Sequence, residues 1–98
     1  MAEIILDETD TVSTVMGEEY RGEFQMICEK YGSSAVKLEV RNSAQEDLTD
    51  FPWVTARFNE EDIEFTSAGD ALDVVFTRGF EYRLRTDTAG AVVSIDRH

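Results

Sequence analysis

Val36-Lys37-Leu38-Glu39-Val40-Arg41 is the stretch that decides the fold. Three aliphatic residues alternate with three charged ones, and side chains with a period of two point to opposite faces of a sheet, one dry and one wet. The same alternation restarts in Glu81-Tyr82-Arg83-Leu84-Arg85 and in Ala91-Val92-Val93-Ser94-Ile95-Asp96.

Turn signals separate further strand-like runs on either side of this stretch. Upstream, residues 4–6 and 11–16 are short β-prone pieces, residues 17–20 read as a turn, and residues 32–34 turn the chain into the strand at 35–41. Downstream, residues 42–50 form a polar connection rich in Asn, Ser, Gln and Asp. Pro52 lacks a backbone donor and suits a strand start, so a strand is expected over 53–58. Residues 59–62 turn into 63–66, and residues 67–70 turn into 72–77. Arg78 and Gly79 have the spacing of a tight hairpin leading into 80–85, with a glycine able to take a positive φ. Residues 87–90 supply the last turn before 91–95.

In one segment two periods compete. As a strand, Phe24, Met26 and Cys28 share a face; as a helix, Tyr20, Phe24, Ile27, Cys28 and Tyr31 fall on one stripe, with Gly32 placed to end it. Gly22 costs a helix about 1 kcal/mol relative to Ala, and the flanking segments are strand-like. Strand is the preferred reading, and one short helix around residues 18–31 is its alternative. The expected fold is all-β: a single antiparallel β-sandwich or jelly-roll-like domain over residues 11–98, preceded by residues 1–10 as an N-terminal arm or edge strand.

With 98 residues and a hydrophobic fraction of 42%, the chain has one core and enough apolar mass to fill it. Its 9 Lys and Arg against 21 Asp and Glu give a formal charge of −12. Nucleic acid is an unsuitable partner for such a surface, because phosphate binding depends on cations releasing counterions. An anionic membrane is unsuitable for the same reason. The acidity serves solubility or attraction to a basic partner surface. Cys28 is the sole cysteine, which excludes an internal disulfide. The N-terminal stretch lacks the cationic start and long apolar run of a signal peptide, so synthesis in a cytoplasm is expected.

Chemistry is not announced anywhere. His98, the sole histidine, is the last residue. With one His and one Cys, no nucleophile with its base and no His–Cys metal site can be assembled, so no enzyme activity, cofactor or metal is expected. Glu60, Glu61 and Asp62, or Glu46, Asp47 and Asp50, are carboxylate clusters without calcium-loop spacing. Trp53, Tyr20, Tyr31 and Tyr82 would form a sugar-stacking platform if coplanar and exposed, whereas a lone Trp in a sandwich more commonly fills the core. Arg57, Arg78, Arg83 and Arg85 read as cross-strand ion-pair partners before they read as an anion site.

One order of pieces carries a resemblance. Gly22-Glu23-Phe24 leads into a strand; Gly32 precedes the alternating strand at 35–41; a tryptophan strand follows at 52–56; then comes Phe65-Thr66-Ser67-Ala68-Gly69-Asp70. Finally Gly79 opens a strand with Tyr82 and Arg83 that runs through Thr86, Ala89 and Gly90 into Val92, Val93 and Ser94. Over residues 20–96 this resembles small virion proteins of tailed bacteriophages. The resemblance implies a capsid decoration or cement protein located in the virion. Such a protein sits on the outer surface of the assembled head, commonly as a trimer, and ties neighbouring subunits of the major capsid protein together. It implies no catalytic residue. Other virion roles (fibre, tail or head completion) and a carbohydrate- or receptor-binding module are the alternatives.

Outside the resemblance, Ile4, Ile5 and Leu6 form a short apolar patch among acids, a candidate arm that pairs with a neighbour. Deleting residues 1–10 is then expected to weaken assembly without unfolding the domain. Ile27, Val54, Val75 and Val92 alternate onto faces expected to be wet, and are candidate partner contacts or signs of a sheet covered on both sides.

Overall fold

In the computed structural model, residues 3–17, 19–42 and 53–97 are described. The expected connection at 42–50 beyond Asn42, the cluster of Glu46, Asp47 and Asp50, Pro52 and His98 lie outside them. Ten strands run in chain order: β1 (Glu3–Leu6), β2 (Gly22–Lys30), β3 (Val36–Asn42), β4 (Val54–Thr55), β5 (Arg57–Phe58), β6 (Glu61–Asp62), β7 (Glu64–Phe65), β8 (Ala71–Phe76), β9 (Phe80–Thr86) and β10 (Val92–Arg97). The segment where two periods competed is a strand: β2 buries Phe24, Met26 and Cys28 on one face. A helix there would have left β8 without its strand partner and β10 paired with β1 alone.

Among the described residues the strands form two four-stranded antiparallel sheets and a separate two-stranded hairpin, β5-β6. The first has the order β1-β10-β2-β8. In the second, β3 pairs with β9 along one side and with β4 and β7 in succession along the other. Residues 11–16 complete this sheet on the far edge of β9, through bridges from Val12 to Arg85 and from Met16 to Tyr82. Along that edge Ser13 Oγ accepts the Leu84 N–H at 2.8 Å, taking the place of a backbone carbonyl.

This arrangement is a jelly roll, an antiparallel ribbon rolled into two facing sheets. Ile4 faces Ser94, Val12 faces Arg85, Met16 faces Tyr82 and Phe24 faces Val74, so the two residue numbers of each pair sum to 97 or 98. At β3 the register breaks. Four steps from Val36 to Val40 oppose eleven steps from Phe65 back to Val54, and most of the surplus leaves the sheet as the β5–β6 hairpin. Asn59 and Glu60 both take positive φ, which gives the two-residue turn that matches strand twist. The base is pinned where Ala56 N–H donates to the Leu38 carbonyl and Leu38 N–H to the Ile63 carbonyl.

The expected hairpin at Arg78 and Gly79 is instead a crossing between sheets. β8 pairs with β2, and β9 with β3. Phe76 ends β8 pointing inward and meets Tyr82 across the core, ring centroids 4.7 Å apart, while the Thr77 N–H donates to the Tyr82 hydroxyl. At the opposite end, Gly32 and Gly90 pass backbone against backbone. A Cβ on Gly32 would lie 3.3 Å from the Ala91 nitrogen, and Gly90 has φ +132°, so side chains are excluded there.

The core lies between the sheets. Leu6, Met26, Cys28, Phe76 and Val93 from the first sheet meet Met16, Val36, Leu38, Phe65 and Leu84 from the second. Each such side chain contributes about 1.5–3 kcal/mol by leaving water. The N-terminal piece is part of this core and not a free arm: β1 pairs with β10, Leu6 is fully buried, and Ile5 sits in a bulge and is also buried.

The expectation that residues 1–10 can be deleted without unfolding is therefore corrected, since deletion strips an edge strand and opens the core over Val93. Urea unfolding followed by circular dichroism should show a large loss of stability for the deletion. Leu6→Ala should cost about 2–5 kcal/mol, while exposed Ile4→Ala should stay within about 0.5 kcal/mol.

Candidate binding surfaces

The two outer faces differ in chemistry. On the second sheet, alternation turns Lys37, Glu39 and Arg41 of β3 and Glu81, Arg83 and Arg85 of β9 outward, in cross-strand register. Arg83 Nε donates to Glu39 at 2.7 Å, Arg85 approaches the other oxygen of Glu39 at 3.9 Å, and Arg41 donates to Glu81 at 2.9 Å. Trp53 lies over this ladder, its ring 4.6 Å from the Arg41 guanidinium and 4.4 Å from that of Arg83. Such stacking suits the weakly hydrated, planar guanidinium. Trp53 thus sits outside the core, contrary to the commoner expectation. Glu39, held by Arg83 and approached by Arg85, is only 7% exposed.

The first sheet's outer face is different. Ile4, Ser94, Ile27 and Ala71 form one cross-strand row over β1, β10, β2 and β8. Val92 lies beside it on β10 and Val75, 66% exposed, at the end of β8. Around these apolar groups stand Glu23, Gln25, Glu29, Asp73 and Asp96. Ser94 donates to Glu29 at 2.8 Å and Gln25 to Asp73 at 3.3 Å, while Lys30 at the end of β2 is held by Glu8 at 2.8 Å. Of the seven candidate contacts, Ile4, Ile27, Val75 and Val92 come together here. Val54 lies on β4 opposite Val40 in the other sheet, and Ile5 and Leu6 are in the core.

The two sides of the sandwich also differ. On the β1 side the sheets are laced together by the Thr14 N–H donating to the Ile5 carbonyl. Facing it, β8 and the β6–β7 stretch leave a groove of about 600 Å³ between them. Leu38, Ala56, Ile63, Leu72, Val74 and Tyr82 give it an apolar floor, with Glu61, Asp62, Glu64 and Asp73 at its mouth. Asp62 is ion-paired with Lys37 and Arg57. Leu72 and Val74 point inward yet are only half-buried, because the second sheet has sent residues 57–62 away as a hairpin. A turn at residues 59–62 is legible in the sequence, but the groove beside it is not. The signal was the pair Asn59 and Glu60, whose left-handed turn makes the departing chain a hairpin.

The tyrosines do not form a platform with Trp53. Tyr20 packs on Phe24 and Phe76, and Tyr82 on Phe76, at one end of the core. Tyr20 also donates to Glu3, and that bond, with burial and the carboxylate's charge, pushes its hydroxyl up to about 12. Burial pushes the Cys28 thiol up as well, away from the nucleophilic thiolate. Asp70 closes the crossing from β7 to β8: it accepts the N–H groups of Thr66 and Ser67 and both their hydroxyls. Those donors, the Thr66 N–H first, hold its carboxyl below the usual range. Among the described residues no cluster of three metal-ligating side chains forms. Compared with protein-family models, curated proteins and solved structures, the chain matches none.

Arg83→Ala should destabilise the fold by about 2–3 kcal/mol, since it leaves the nearly buried Glu39 carboxylate without its close partner. It should also change Trp53 fluorescence, the ring having lost one of its two cations. Arg57→Ala, at an exposed pair, should cost less than about 1 kcal/mol. Urea titration followed by circular dichroism and by tryptophan fluorescence checks the two stabilities and the Trp53 signal together.

Proposed function

We propose that the protein is a capsid decoration protein of a tailed bacteriophage, binding the outer surface of the assembled head through the outer face of its β1-β10-β2-β8 sheet. The observation that carries this reading is the contrast between the two faces. One has its charges matched within the chain and its tryptophan clamped by arginines. The other sets Ile4, Ile27, Val75 and Val92 among carboxylates.

Magnitudes divide the labour on that face. Covering an Ile or Val fully is worth about 1.5–3 kcal/mol, whereas a rim ion pair is worth about 0–1 kcal/mol. The apolar row supplies affinity, and the acids steer the domain to a basic patch of the major capsid protein and discourage face-to-face pairing of two copies. A rolled sandwich suits cement because its surface is fixed before contact, so little ordering is lost on docking. Assembly as a trimer through other surfaces multiplies such contacts. The phage assignment itself rests on the likeness of residues 20–96 to small virion proteins; the surface supports adhesion.

Co-sedimentation with expanded, undecorated heads tests the reading. The protein should pellet with a panel of such heads at a fixed ratio that falls with salt, and its mass in solution should be that of a trimer. Ile4→Glu and Val75→Glu, both at exposed positions, should keep the fold and weaken head binding at least tenfold. Absence from every pellet, or binding by both variants equal to the parent, would rule the reading out.

A further inference from the structure

We propose that the open side of the sandwich is a strand-addition site, where an extended segment of a partner protein, alternately apolar and basic, pairs with the free edge of β8. Among the described residues β8 has a strand neighbour on the β2 side only, with the Asp73 side chain accepting from Gln25 of β2. The bond from Cys28 N–H to the Asp70 carbonyl sets the alternation along the strand. Leu72, Val74 and Phe76 therefore turn their amides to β2, and Ala71 and Val75 turn theirs to the open edge. A strand laid there finds main-chain donors and acceptors in register over about 20 Å.

Side-chain alternation then assigns chemistry to the incoming segment. Its inward side chains drop into the groove beside Leu72 and Val74, onto Leu38, Ala56 and Ile63, and so are apolar. Its outward side chains lie beside Asp73 and Val75, while Glu61 and Glu64 stand at the mouth of the groove, so cations fit there. A second copy of this chain is a poor occupant. Its own β8 brings Asp73 and no cation to the edge, within a molecule of formal charge −12. The site adjoins the outer face along β8, sharing Ala71 and Val75 with it, but its groove and its occupant do not depend on the capsid assignment.

The test uses the full chain, ¹⁵N-labelled, titrated with a capped eight-residue peptide alternating Val and Lys. Amide shifts should concentrate at Ala71 and Val75 and at Ile63 and Glu64, with the outer-face amides of Ser94 and Ile27 unmoved. The same peptide with Glu in place of Lys should bind at least tenfold more weakly. Val75→Pro removes an edge donor without touching the β2 ladder, and should weaken binding at least tenfold while leaving the remaining spectrum folded. Asp73→Lys, which leaves the backbone intact, should weaken it severalfold and covers the case in which the proline variant does not fold.

Several outcomes would overturn the proposal. They are no binding at millimolar peptide, equal binding by Val75→Pro and Asp73→Lys, or shifts confined to the outer face. Dimerisation of the free protein through β8 would assign the edge to a second copy. Shifts in the groove with dodecanoate but not with peptide would assign it to an acyl chain. Either result excludes a peptide strand.

Discussion

Antiparallel pairing in one nearly constant register, across a ribbon folded about the middle of the chain, is the constraint on which everything else hangs. Because side chains alternate, fixing the partner of Phe24 as Val74 also fixes which face Met26, Leu72 and every other residue of β2 and β8 present. A slip by one residue would turn Phe24, Met26 and Cys28 outward and put Gln25 and Ile27 into the core. Rolling the ribbon then brings β10 onto β2 and β9 onto β3, which buries the dry faces against each other. Register shifts fall between Ile4 and Leu6 on the edge strand β1 and between Val92 and Val93 in the pairing of β10 with β2.

The strand pattern was legible because burial was the only demand on it. Val36 and Leu38 face a core while Lys37 and Glu39 do not, and no other element competes for those residues. The ambiguity at 18–31 arose because Phe24, Ile27, Cys28 and Tyr31 satisfy a helical stripe too; the presence of strands on both sides of β2 decides it, and no local signal carries that. Arg78-Gly79 misled for a related reason. Two residues between strands look alike whether the chain folds back beside itself or crosses the core, and the difference lies in Phe76 and Tyr82 meeting across the core with tilted rings. Trp53 was misread because its stability comes from Arg41 and Arg83, brought in from β3 and β9. Of the candidate contacts, Ile27, Val75 and Val92 were singled out by alternation and Ile4 by its place in a short apolar patch among acids. That they share one face follows from a cross-strand register no single segment contains.

One loose end of the roll gives the molecule its asymmetry. On the β1 side, hydrogen bonds from residues 11–16 to β9 and to Ile5 lace the two sheets together. On the β8 side, the departure of residues 57–62 leaves Leu72 and Val74 half-covered and, among the described residues, β8 with one open edge. Natural sheets guard such edges with charge or irregularity; here Asp73 is the charge and the strand is otherwise regular and apolar. Rigidity on the laced side and an accessible edge on the other are both consequences of where the surplus chain leaves the ribbon. The matched charges on one outer face and the apolar row on the other show that alternation alone does not dictate surface character.

Residue-resolved amide hydrogen exchange measures the register most directly. β2 lies between two partners, so its amides from 24 to 28 should all exchange slowly. In β8 protection should alternate, with Leu72 and Val74 slow and Ala71 and Val75 fast. A helical run of protection across residues 20–31, or Ala71 and Val75 as protected as Met26 in the free monomer, would contradict the rolled ribbon and its open edge.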